Sequence, residues 1–282
     1  MKCLNYISDQ EYYIMMSFSL FSLGTYLIFI YFLLKKSILK DFCSRVLFYL
    51  SAIGALRSLF KCLQLPSTIN DKAFCSIIAY FSAVTNFSSI IWSMSISVTL
   101  YQALINHEYN YFKHHSRWFV SSFIIAPLIF SLPFVTNSYS NYKGVCFFAN
   151  DELSNIYGLI LSTLPNILMF ITGLLVYWRI WTKMKPYDDE CTWNILFARG
   201  YIFIIITMLV LSPLVIINTL GLFIDICLSS QIYVFIECWI SLNALGNVIG
   251  YLAYERVNVN IRRRSLQRPC NESTSKNLFE DS

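Results

Sequence analysis

Seven stretches of the chain, at about 12–34, 46–65, 75–105, 118–136, 156–182, 196–223 and 230–254, are long apolar runs separated by short polar connections. A bilayer core about 30 Å thick needs roughly 20 apolar residues at about 1.5 Å rise each, so every run reads as a membrane-spanning helix. Barrel strands would instead be about ten residues long and alternate in polarity. The expected fold class is therefore an all-α membrane protein, a seven-transmembrane helix bundle. Composition agrees: 56% of the 282 residues are hydrophobic, 13% are charged, and mean hydropathy is +0.55. Soluble domains run nearer about 45–50% apolar and about 25% charged, so the excess here has to face a lipid bilayer.

Orientation follows from the cations. Sixteen of the 21 Lys and Arg fall in the first, third and fifth connections, on their flanks, and in the tail. The other side holds only Lys2, Lys72 and Lys143. Positively charged connections stay cytoplasmic, which places the N-terminus outside and the tail inside. The opening "MKCLNYISDQEYY" lacks an apolar core and a small-residue cleavage site, so an uncleaved first span is expected. Residues 1–254 read as the bundle and 255–282 as a short cytoplasmic tail. In that tail "YERVNVNIRRRSLQ" is either an interfacial helix on anionic lipid or an unstructured basic segment.

The two remaining cations are Arg57 and Lys61, inside the second run in "GALRSLFKCLQL". They are one helical turn apart and share a face. Each costs about 2.5–3.5 kcal/mol at mid-membrane, which calls for a partner. The one acidic residue well inside any run is Glu237, in "YVFIECWISLN". At about 1.5 Å per residue, Glu237 lies about 10 Å deep, Lys61 about 6 Å and Arg57 about 12 Å. One expectation is an outer-half pocket with surplus positive charge, suited to an anionic or hydrogen-bonding ligand. The other is a buried Arg57–Glu237 pair that fixes packing, with Lys61 reaching to the interface. Asn86, Ser89, Ser93 and Ser97 add a polar stripe on the third run, of which Asn86 and Ser89 lie outermost and are ligand candidates. Ordinary helix packing is the competing account of that stripe.

Cys75 and Cys146 both fall on the outer side, where disulfides persist. A bridge between them would tie the second outer loop over the bundle; two free thiols are the alternative. Cys3 and Cys227 form a weaker second pairing. Nine cysteines without CxxC or Cys/His clustering argue against zinc or thiol redox chemistry, and no metal or cofactor is expected. Pro165 and Pro213 interrupt the fifth and sixth runs, where a missing backbone donor kinks a helix.

The last run, "SLNALGNVIGYLAYERVNVNIRRR", carries Asn247, Tyr251 and Glu255 at four-residue spacing. Together with "SRVLFYLSAIGALRSL" and with Cys75, Ser88, Ser89, Trp92, Leu100 and Tyr101 of the third run, it resembles the cyclic AMP receptor-like G-protein-coupled receptors, relatives of the secretin class. The resemblance in topology spans nearly the whole chain, and the motifs span about 60 positions. The chain lacks an Asp-Arg-Tyr end to the third run, and "NVIGY" has Val248 where rhodopsin-like receptors have proline. The seventh run contains no lysine, which excludes a retinal Schiff base. Gly54 and Ala55 stand near the place of the family's acidic residue.

The resemblance implies a plasma-membrane receptor that binds an extracellular ligand and signals to a heterotrimeric G protein. Asn247 and Tyr251, with the basic residues Arg179, Lys183, Arg199 and Arg256, are then candidates for the coupling face, although those cations also serve as topology determinants. A transporter or channel is the alternative; the odd run count and the single intramembrane acid speak against it. Catalysis is not expected, since HExxH, GxSxG and any membrane-depth His/Asp/Glu cluster are lacking. No nucleic-acid partner is implied.

Overall fold

The structure is a computed structural model that describes residues 7–35, 42–64, 69–105, 112–142, 144–149, 151–184 and 230–252, together with positions 205, 209, 212, 213 and 216. The helices are α1 (Asp9–Lys35), α2 (Phe42–Cys62), α3 (Lys72–Ile105), α4 (Phe112–Val120), α5 (Ala126–Val135), α6 (Glu152–Tyr157), α7 (Leu164–Met184) and α8 (Ser230–Ser241). One hairpin, β1 (Tyr139–Tyr142) with β2 (Val145–Phe148), lies between α5 and α6. Helix through α4–α5, through α6–α7, and from α8 past a turn at Leu242 on to Leu252 makes, with α1 and α3, five helices among the described residues that are long and apolar enough to cross a membrane. The helix α2 falls outside that set because Arg45, Arg57 and Lys61 dilute its apolar run. The expected sixth span, 196–223, lies outside the described residues apart from five positions.

Helix starts follow local capping chemistry. Ser8 and Glu11 form a reciprocal box at α1: Ser8 N–H donates to Glu11 Oε2 at 2.9 Å and Glu11 N–H to Ser8 Oγ at 3.4 Å. At α3, Asp71 Oδ1 accepts the N–H groups of Ala73 and Phe74 at 2.9 and 3.3 Å. The end of α5 is closed by Asn137 at φ 53°, with Asn137 N–H on Phe134 O and Ser138 N–H on Pro133 O. That 5→2 and 6→1 pairing is a Schellman cap, with asparagine tolerating the left-handed backbone.

Two π-helical turns, Ser121–Ile125 and Gly158–Thr163, join α4 to α5 and α6 to α7. In both, the residue before a proline donates five positions back, Ala126 N–H to Ser121 O and Leu164 N–H to Leu159 O. Pro127 and Pro165 then follow without an N–H. The wider turn relieves the clash of a proline ring with the carbonyl four residues earlier. Pro165 thus rewinds its helix locally. Pro213 is described, but most of its surrounding run is not.

The long helix α3 is the axis of packing, meeting α2, α5, α7 and both hairpin strands, while α1 packs on α2 and α8. The largest apolar cluster gathers at the hairpin end: Ile7, Tyr12, Ile78, Phe130, Tyr139 and Phe148 surround the Cys75–Cys146 bridge. The two-residue hairpin loop needs Gly144 at φ 96°, a conformation glycine adopts freely.

Candidate functional site

The disulfide expected from the sequence is formed, with Cα atoms 5.1 Å apart across 71 residues. Ser76 Oγ also donates to Tyr139 O at 3.2 Å, and Tyr139 Oη to Phe130 O at 3.2 Å. The hairpin is therefore fastened to α3 and α5 and closes that end of the bundle. Cys62 and Cys238 are free thiols, whereas Cys3 and Cys227 lie outside the described residues.

Beneath the hairpin, α2 and α8 bring the membrane-embedded charges together. Lys61 Nζ and Glu237 form an ion pair, with 20% and 18% of their side chains accessible. This corrects the expectation of an Arg57–Glu237 pair with Lys61 at the interface. The long lysine stem spans the difference in depth that the residue count gives to Lys61 and Glu237. Arg57, one turn deeper, lies in electrostatic range of the Tyr26 and Tyr233 phenols. Its side chain is only partly covered.

Tyr26 on α1 was not legible as a site residue. Its ring is held against α2 because Gly54 has no side chain: a Cβ there would lie 2.6 Å from Cε2 and 2.7 Å from Oη. The Tyr26 phenol is hydrogen-bonded to the Asn247 side chain, and Ser58 Oγ bonds Ser22 Oγ at 3.0 Å on the same interface. The signal that could have found Tyr26 is periodic: Ser19, Ser22, Tyr26, Phe29 and Leu33 recur every three or four residues and are all buried. Toward the far end, Tyr251 is buried edge-on to Phe29 and Phe32, at 5.5 and 6.2 Å between ring centres. Asn247 and Tyr251 thus sit on one packed face below Arg57.

The α3 stripe differs from the expected one. Asn86 and Ser89 are half-buried and Ser97 is buried, donating to Ser93 O at 3.3 Å, whereas the hydroxyl that crosses to another helix is Ser88, outside the stripe, which donates to Ser122 O at 2.9 Å. Pro127 has no N–H and Ala126 donates to Ser121, so that carbonyl depends on Ser88. Ser122 Oγ in turn accepts Trp92 Nε1–H at 3.0 Å, and Trp92 stacks on Tyr49 at 4.7 Å. Asn166, just after the second π turn, is fully buried; it donates to Ser162 O at 2.7 Å, while its Oδ1 has no described partner. Arg179 is exposed on α7, and Lys183 lies on the last turn of that helix. Arg199, Arg256 and the 255–282 tail lie outside the described residues. Among the described residues no cluster of His, Cys, Asp and Glu suits a metal ion.

No family model and no curated protein matches the chain. Among solved structures it is similar to squid rhodopsin, with a TM-score of 0.65 and 14% identity over 90% of this chain and 85% of that one. The fold is rhodopsin-like, and with its long apolar helices the chain is a multi-pass membrane protein.

Proposed function

We propose that the chain is a seven-helix plasma-membrane receptor of the G-protein-coupled kind, allied to the cyclic AMP receptor-like family. Residues 1–254 are its receptor domain, with the N-terminus outside, and 255–282 its cytoplasmic tail. An extracellular ligand binds in the outer half of the bundle among Arg57, Lys61, Glu237, Asn86 and Ser89. A heterotrimeric G protein docks at the opposite end, near Asn247 and Tyr251 and the basic residues Arg179, Lys183, Arg199 and Arg256. The observation that carries this reading is a charged, partly accessible group of side chains inside a rhodopsin-like bundle, beneath a disulfide-fastened hairpin. Intramembrane charge facing an interior is expensive, and its usual use is functional.

Coupling has a physical route. Tyr26 packs against Gly54, one turn from Arg57 on α2, its phenol bonds Asn247, and Tyr251 follows one turn later on the same face. A ligand that binds one arrangement of this chain of contacts better than another shifts the population between them. Ligand-stimulated nucleotide exchange on co-expressed G proteins is the test. Exchange that depends on ligand and is lost in Asn247→Ala supports the reading, and its absence across all G-protein classes refutes it.

A further inference from the structure

A proline inside a helix leaves one carbonyl without its donor, and on the sixth run that carbonyl can be followed. Leu209 and Pro213 are both helical and stand four residues apart. Pro213 has no N–H, so Leu209 O loses the bond that position 213 gives in a regular helix. Leu209 is exposed, and in the hydrocarbon of a bilayer no water replaces the missing donor. Two side chains take the carbonyl up instead. Ser212 Oγ donates at 2.9 Å from the same turn, and Trp239 Nε1–H donates at 3.3 Å from α8. They match the two lone pairs of a carbonyl oxygen. The Trp239 ring stacks on Phe235 one turn earlier, with ring centres 6.1 Å apart, which holds the indole in direction.

The place of Trp239 on α8 gives this bond its consequence. Glu237, two residues earlier, is paired with Lys61 of α2. Two residues turn about 200° around a helix, so α2 and the sixth run grip α8 from opposite sides. Just beyond, the helix is irregular. Leu242 N–H is shared between Cys238 O at 3.3 Å and Trp239 O at 3.1 Å, and a turn at Leu242 precedes the stretch that carries Asn247 and Tyr251.

We infer that Trp239 is a latch: its bond to the carbonyl freed by Pro213 holds α8 to the sixth run in this arrangement, and its release favours another. The inference rests on the signalling reading above for its consequence, and names a contact that restrains that response. Loss of one such hydrogen bond shifts a two-state population by about twofold to tenfold.

The first test is independent of any G protein. The full chain is labelled with nitrogen-15 tryptophan in dodecyl maltoside micelles, and its six indole N–H signals are recorded. The signal missing from Trp239→Phe belongs to Trp239. Pro213→Ala restores a backbone N–H that competes for Leu209 O, so the Trp239 signal is expected to move upfield in that variant. An unmoved signal overturns the latch. The second test is nucleotide exchange on co-expressed G proteins without added ligand, at matched surface expression. Trp239→Phe is expected to raise it about twofold to tenfold over the parent, and to add nothing in the Pro213→Ala background. Should Trp239→Phe not fold, Trp239→Tyr serves in both tests. Unchanged basal exchange in a chain that does drive exchange overturns the restraint, as does an equal rise in the Pro213→Ala background. No exchange in any variant refutes the signalling reading, and the indole signal alone then decides whether the latch exists.

Discussion

Lys61 on α2 and Glu237 on α8 are ion-paired inside the bundle, and Arg57 one turn below is not part of that pair. Reversing either charge alone, Lys61→Glu or Glu237→Lys, places like charges together. The cost is expected to lie between about 1 kcal/mol for exposed pairs and about 3–5 kcal/mol for buried ones, since both side chains are partly accessible. The double reversal is expected to recover surface expression and Tm. Recovery by Arg57→Glu with Glu237→Lys, and not by the Lys61 double, would contradict the pairing.

Gly54→Ala is expected to disturb the site without touching a charge. The new methyl falls inside the ring of Tyr26, which is buried and hydrogen-bonded to Asn247, so ring or helix must move. Overpacking of this kind costs about 1–3 kcal/mol. Gly24→Ala is the control, because nothing lies within 4 Å of a Cβ there. Equal Tm and equal ligand response in the two variants would remove the proposed role of Tyr26.

Ser122→Ala leaves the indole N–H of Trp92 buried without its acceptor, at an expected cost of about 1–3 kcal/mol. Trp92→Phe in that background removes the orphaned donor. A double-mutant cycle on unfolding free energy should therefore show the two changes to be less than additive. Strict additivity would mean that the bond contributes nothing.

Loss of the bridge by Cys75→Ser with Cys146→Ser is expected to cost about 2–4 kcal/mol and to loosen the hairpin. Proteolysis between β1 and β2 on intact cells measures this. A cleavage rate equal to that of the parent would show that Ser76 and Tyr139 hold the hairpin unaided.

The helix limits were legible because membrane helices declare themselves through sustained apolarity. The run read as 12–34 is helical over Asp9–Lys35, and that read as 156–182 is helical from Glu152 to Met184. The Cys75–Cys146 bridge was legible because topology put both thiols on one side. The partner of Glu237 was not, since depth counting cannot separate two flexible cations one turn apart. The role of Tyr26 was also hidden, because an aromatic in an apolar run carries no signal until a neighbouring glycine is known to receive it. Ser88 was preferred over Ser89 for a reason no periodicity reveals: a carbonyl left over by a proline on a different helix.

The two π turns each fit one more residue into a helix than a regular ladder would hold. A relative lacking either turn would fall out of step with this chain by one position, first at 121–125 and again at 158–163. Position-by-position comparison is penalised at both places, whereas superposition of the helices absorbs the surplus as a local bulge. That asymmetry is one physical route by which a chain can keep a backbone arrangement after its sequence has drifted, and it marks the two segments where an alignment with a relative lacking these turns opens a gap.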